Sequence, residues 1–220
     1  MDYVVLDLEW NQASDSRDAR NRLLTFEIIE IGAVKLNSRM EIVDTFEELI
    51  RPQVYDTMHH ITEKLIGIHM KDLSGCRTFD VVMKDFLAWC GEDFMFGTWG
   101  PQDLTELQKN MRFFGMEPLG KGRVRLYDIQ KLFSIAYEDQ KVRRSLEYAV
   151  DYLQIPKDIP FHRAISDAVY TARVFQMIKD PIALQRVSFD TFQLPENHRS
   201  EVHVVFDNYA KYISRPTVSG

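Results

Sequence analysis

The chain has 220 residues, 45% hydrophobic and 12% aromatic, which suffices for one sizeable core, and a formal net charge of −6. That acidity excludes a protein that coats nucleic acid through many nonspecific phosphate contacts, while leaving room for one that grips a strand end. No apolar run is long enough to span a membrane, the chain opens on a strand pattern rather than a signal peptide, and Cys76 and Cys90 lack the partners of a zinc site, so a cytoplasmic protein with reduced thiols is expected.

The first element is the apolar run Tyr3 to Leu8, which closes on Asp7-Leu8-Glu9. Strand side chains alternate sides, so Asp7 and Glu9 share a face. Two adjacent carboxylates at the end of a buried strand repel each other and resist desolvation, and a divalent cation between them relieves both penalties. A strand that simply runs out into solvent would carry the same string, so other acids must decide. A polar stretch from Gln12 to Thr25 with Arg17, Arg20 and Arg22 leads to strands at Ile28 to Leu36 and Ile42 to Ile50, and the short link through Asn37, Ser38 and Arg39 predicts an antiparallel trio.

After Arg51-Pro52 the period becomes helical, with Phe79, Val82, Met83, Phe86 and Leu87 on one stripe. Phe94 to Phe96 reads as a fourth strand, broken by Gly97-Thr98-Trp99-Gly100-Pro101. The next helix buries Leu104, Leu107, Met111 and Phe114, Val124 to Tyr127 reads as a fifth strand, and helices at Ser145 to Leu153 and Ala164 to Ile178 complete the pattern. Three strands followed by alternating helices and strands predict an α/β fold, a mixed sheet flanked by helices, in one domain over residues 1–180. Residues 181–220, with Pro181, Pro195 and an apolar patch at Val204 to Phe206, form an extension of unknown role.

Two more acids now gain meaning. Asp103 follows the fourth strand where a helix begins, a place where open α/β sheets bind ligands, although a plain helix cap would sit there too. Asp167 lies beside the stripe Ile165, Ala168, Val169, Ala172 and Phe175, where a merely solvated carboxylate has little reason to be. His162 stands five residues earlier, and five helical steps turn a side chain by roughly 140°, which places it in the loop after Pro160, free to swing over the site.

Together these residues resemble the DEDD exonucleases of the His type, the DnaQ-like family that includes the proofreading subunit of bacterial DNA polymerase III, oligoribonuclease and ribonuclease T. Asp7 and Glu9 are similar to the family's first motif. Asp103 in Phe-Gly-Thr-Trp-Gly-Pro-Gln-Asp looks like the second, and His162-Arg-Ala-Ile-Ser-Asp167 like the third; Glu27 to Val34 is similar to the family's second strand. The resemblance implies a ribonuclease H-like fold with a mixed five-stranded sheet and a two-metal 3′ to 5′ exonuclease that releases nucleoside 5′-monophosphates from single-stranded RNA or DNA 3′ ends, RNA favoured. It further implies that Asp7 bridges two Mg²⁺ or Mn²⁺ ions, that Glu9 and Asp167 hold one and Asp103 supports the other, and that His162 is the general base. Four carboxylates at −4 against two ions at +4 leave a neutral site, so metal should be a condition of substrate binding as well as of chemistry.

The chain departs from the family's D-x-E-x-T continuation with Trp10 and Asn11, which leaves the terminal 3′ hydroxyl to Asn11 or to backbone groups. Leu8, Trp10, Asn11, Trp99 and Phe161 are the candidate substrate contacts, the aromatics being either stacking platforms or core. Basic clusters at Lys121, Arg123 and Arg125 and at Lys141, Arg143 and Arg144 read first as solvated charge. Asp128 is expected to cap a helix, Asp151 lies on an ordinary polar helix face, and His59 and His60 lack motif-like acidic company. The competing possibility, a noncatalytic nucleic-acid-binding or regulatory module, predicts a lost ligand, yet all five motif residues are present. The extension from Pro181 to Gly220 is a candidate surface for a protein partner or for self-association.

Overall fold

The computed structural model describes residues 1–15, 18, 20 and 23–178 and the backbone of strands 190–193 and 204–206. Arg17 and Arg22 of the basic stretch, and most of the extension, lie outside the described residues. Strands β1 (Asp2–Asn11), β2 (Glu27–Leu36) and β3 (Ile42–Leu49) form the expected antiparallel trio, while β4 (Phe94–Thr98) runs parallel to β1 and β5 (Arg123–Asp128) parallel to β4. The predicted five-stranded mixed sheet is therefore present. It continues at one edge through β6 (Asp190–Gln193) and β7 (Val204–Phe206), giving the order β3-β2-β1-β4-β5-β6-β7 among the described residues.

Seven helices cover the described part of the sheet: α1 (His60–Ile66), α2 (Met70–Leu73), α3 (Phe79–Cys90), α4 (Gln102–Phe113), α5 (Ile129–Tyr137), α6 (Leu146–Tyr152) and α7 (Ala164–Met177). The alternation of β1 sorts them into two layers. Val4, Leu6 and Leu8 pack with Phe79, Val82 and Phe86 of α3 and Leu104 and Leu107 of α4, all buried. Val5 packs on the other side with Ile129, Leu132, Ala149, Ala168 and Ala172 of α5, α6 and α7. Asp7 and Glu9 follow Val5 at steps of two, so they extend the α5–α7 face beyond its apolar part.

Two details of β1 and β2 shape that end of the sheet. The strand does not stop at Leu8 but runs to Asn11, with a register shift between Glu9 and Trp10 that forms a bulge, and bulges re-aim side chains beside sites. Asp7 pairs with Gly32 on β2, and a Cβ on Gly32 would lie 2.1 Å from the backbone of Ala164 and Ile165. Only hydrogen at this position lets the first turn of α7 press against the sheet, and that turn carries Asp167.

Candidate active site

Carboxylate oxygens of Asp7, Glu9 and Asp167 all lie within 4.8 Å of one another, the one such acidic trio among the described residues. Asp103 joins from the other helical layer. It occupies the first turn of α4 after Pro101, is 6% exposed, and accepts a hydrogen bond of 3.2 Å from the main-chain N–H of Leu8. The carboxylate thus serves both its own main-chain N–H at the helix start and β1. His162 is exposed in the loop before α7 with φ of 66°, an uncommon backbone for a residue with a Cβ, and its main-chain N–H reaches Asp167 Oδ2 at 3.4 Å. Oδ1 of Asp167 is buried without a hydrogen-bond partner.

The electrostatics are those of crowded, half-desolvated anions. Burial is the main cause that raises every one of the four carboxyls: Asp7 stands well above the usual carboxylate range and Glu9 is pushed up to about 8, each with repulsion from its acidic neighbours added; Asp103 is raised, with Asp167 adding repulsion; and Asp167 is pushed up to about 6, with Glu30 and Glu147 adding repulsion and His162 offsetting part of it. Glu30 adds to the pressure on Glu9, and Arg163 relieves part of it. Such a site holds protons or cations. All its donors are hard oxygens, which suit Mg²⁺ or Mn²⁺, and an orphaned carboxylate oxygen at Asp167 fits an acceptor awaiting an ion.

The five candidate substrate contacts have distinct placements. Leu8 is core, 3% exposed, and approaches the site with its backbone. Asn11 is fully buried: its amide donates to Thr57 O at 2.9 Å and accepts from His59 N at 2.8 Å, so the side chain clamps the segment before α1 and is not available to a 3′ hydroxyl. Trp10 is half-buried against Phe26, with ring centroids 5.5 Å apart. Trp99 packs on Phe133 and donates its indole N–H to Arg144 O at 3.1 Å. Phe161 stacks on Tyr170 at 4.4 Å, which fixes the loop that carries His162.

Sequence reasoning missed the Glu30–Arg163 pair. Glu30 has no solvent exposure in β2, and the Arg163 guanidinium, at the N-terminal cap of α7, contacts it at 2.7 and 2.9 Å and also reaches Glu47 at 3.2 Å. The signal was a charged residue inside the apolar run Glu27-Ile-Ile-Glu-Ile-Gly, because a buried carboxylate demands a partner.

Comparison with known proteins agrees with this geometry. A family model described as exonuclease, of the ribonuclease T type, matches residues 4–175. The chain belongs to this exonuclease family. Its relatives there include the PolC-type DNA polymerase III of Caldanaerobacter subterraneus subsp. tengcongensis, 27% identical over 79% of this chain and 11% of that protein. Another is the human 3′-5′ exoribonuclease 1, 24% identical over 72% of this chain and 48% of that protein. The chain thus spans about half or less of the curated relatives it matches. The crystal structure of the nuclease domain of 3′hExo, a DEDDh family member bound to rAMP, superposes with a TM-score of 0.67 at 22% identity, covering 80% of this chain and 90% of that one, and shares the ribonuclease H-like fold. No helix among the described residues is long and apolar enough to cross a membrane.

Proposed function

We propose that this chain is a divalent-metal-dependent 3′ to 5′ exonuclease that hydrolyses single-stranded 3′ ends to nucleoside 5′-monophosphates, with RNA favoured over DNA and the activity housed in residues 1–180. The observation that carries the reading is the convergence of Asp7, Glu9 and Asp167 within 4.8 Å, with Asp103 tied to Leu8 beside them. Asp7, Glu9, Asp103 and Asp167 would hold two Mg²⁺ or Mn²⁺ ions, which supply Lewis-acid activation of water and neutralise charge on the phosphoryl group. His162 accepts the water proton at a ring nitrogen, and its place on an exposed loop anchored by Phe161 and Asp167 lets it close over a bound strand end. The backbone at Leu8 and the half-buried Trp10 form the floor for the terminal nucleotide. The relative named as an exoribonuclease and the neighbour bound to rAMP support the preference for RNA.

Digestion of matched 5′-labelled RNA and DNA strands with Mg²⁺ or Mn²⁺ tests this. The expected result is a ladder shortening from the 3′ end, faster on RNA, abolished by EDTA and by Asp7→Ala. Endonucleolytic fragments, or cleavage that survives EDTA, would refute it.

A further inference from the structure

The segment from Glu138 to Ser145, between α5 and α6, is bound tightly along α5 rather than looped into solvent. Ser134 Oγ donates to Val142 O and Lys131 Nζ to Gln140 O, while Arg144 O accepts from both Trp99 Nε1 at 3.1 Å and Gln130 Nε2 at 2.8 Å. Its far end is thereby fixed beside Trp99. Asp128, at the end of β5, is fully buried; one oxygen caps α5 through Lys131 N at 2.8 Å and the other forms an ion pair with Arg143 Nη1 at 3.1 Å. Arg143 nevertheless keeps 40% of its side chain exposed, and Lys141 beside it is exposed.

The sheet sets where this lies. Val5, Gly97 and Tyr127 share a register across β1, β4 and β5; Asp7 lies two residues beyond Val5, and Trp99 follows directly on the end of β4, two residues beyond Gly97. Two strand spacings separate Asp128 from β1, about 10 Å. Asp7 and Glu9 continue the face that Val5 turns to α5, α6 and α7, and this segment is hydrogen-bonded along α5 of that layer. The acidic centre and the chain's net charge of −6 both repel a polyanion, whereas here a buried carboxylate ion-pairs with one nitrogen of a five-donor guanidinium whose side chain stays partly exposed. Arg144 is spent otherwise, paired with Glu138 at 3.4 Å and over the Tyr148 ring at 4.5 Å.

We infer that Arg143 and Lys141, seated by Asp128, Trp99 and Gln130, form a ledge that binds backbone phosphates of the substrate strand upstream of the bond that is cut. The inference rests on the exonuclease reading and adds to it a binding site for the single-strand phosphodiester backbone. It makes Asp128 and Trp99 positioning residues of that ledge.

The test compares the full-length chain with Arg143→Gln, Lys141→Gln and the double variant, using single strands of two and twelve nucleotides. For the double variant the KM ratio to the parent should grow with strand length, reaching about tenfold on the dodecamer, with kcat little altered and Arg143→Lys restoring most of the loss. Fluorescence anisotropy of the labelled dodecamer, with Ca²⁺ replacing Mg²⁺, should give a log–log salt slope shallower by about 1.4, the value for two single-strand phosphate contacts. An unchanged slope, or an equal KM ratio at both lengths, would overturn the ledge whatever the enzyme does. Failure of the parent to shorten either strand would instead refute the exonuclease reading, leaving the binding measurement to decide the ledge.

Discussion

Glu27, buried, and Asp7, half-buried, are carboxylates near one end of the same sheet, and they are treated in opposite ways. Glu27, 1% exposed and paired with Asn11 across β1 and β2, accepts from the main-chain N–H groups of Gln53, Val54 and Tyr55 at 2.5, 2.9 and 2.9 Å. Its charge is answered by the fold, and it holds the chain that leads from β3 toward α1. Asp7 faces Glu9, Asp103 and Asp167, and each raises its affinity for a proton. A carboxylate whose burial is compensated inside the protein is structural, whereas one whose burial is left uncompensated needs something brought from outside.

Asp7→Asn should break the contrast most visibly. Loss of one charged oxygen ligand is expected to lower kcat by more than about 10³-fold while raising the melting temperature of the metal-free protein, because it removes repulsion. A scan that shows the variant melting earlier would mean that Asp7 is structural. Gly32→Ala comes next: its methyl would meet the Ala164 backbone, so either the chain fails to fold or it loses about 3 kcal/mol together with activity as α7 is displaced. Glu27→Gln should cost about 2 kcal/mol, roughly 4–8 °C, through its three backbone donors, yet retain metal binding, as chemical denaturation and Mn²⁺ titration would report.

A drift with pH tests the same contrast without a substitution. Glu9 and Asp167 have folded values raised to about 8 and about 6, so the folded protein holds their protons more tightly than the unfolded chain does. The stability they contribute is complete below the ordinary carboxylate range near pH 4 and is lost as pH rises through those folded values. In EDTA the melting temperature should therefore fall between pH 5 and 8.5 by at least as much as Glu27→Gln lowers it, and saturating Mg²⁺ should remove most of that slope. Identical slopes with and without metal would contradict the account.

The sequence carried the acidic centre well because its cues are local. A two-residue alternation put Asp7 and Glu9 together, Asp103 followed a strand-to-helix break, and Asp167 sat beside an apolar stripe. Asn11 misled because a polar residue after the motif looks the same whether it meets a ligand or, as here, clamps Thr57 and His59. Glu30 and Arg163 are 133 residues apart, so their pairing follows from topology rather than pattern. The edge pair β6 and β7 was equally hidden, since Asp190-Thr-Phe-Gln193 and Val204-Val-Phe206 are too short to show a strand period. The ledge residues were legible as a basic cluster, but their seat on Asp128 needed the register of β4 and β5.

The central claim is that the carboxylates of Asp7, Glu9, Asp103 and Asp167 are uncompensated because they serve divalent metal. Titration of the metal-free protein with Mn²⁺, followed by electron paramagnetic resonance of the free ion at neutral pH, tests it most directly when run beside Asp7→Asn and Glu27→Gln. The account predicts saturable binding of two ions that is largely lost in Asp7→Asn and retained in Glu27→Gln. Equal binding by the parent and Asp7→Asn, or no saturable binding by the parent, would contradict it.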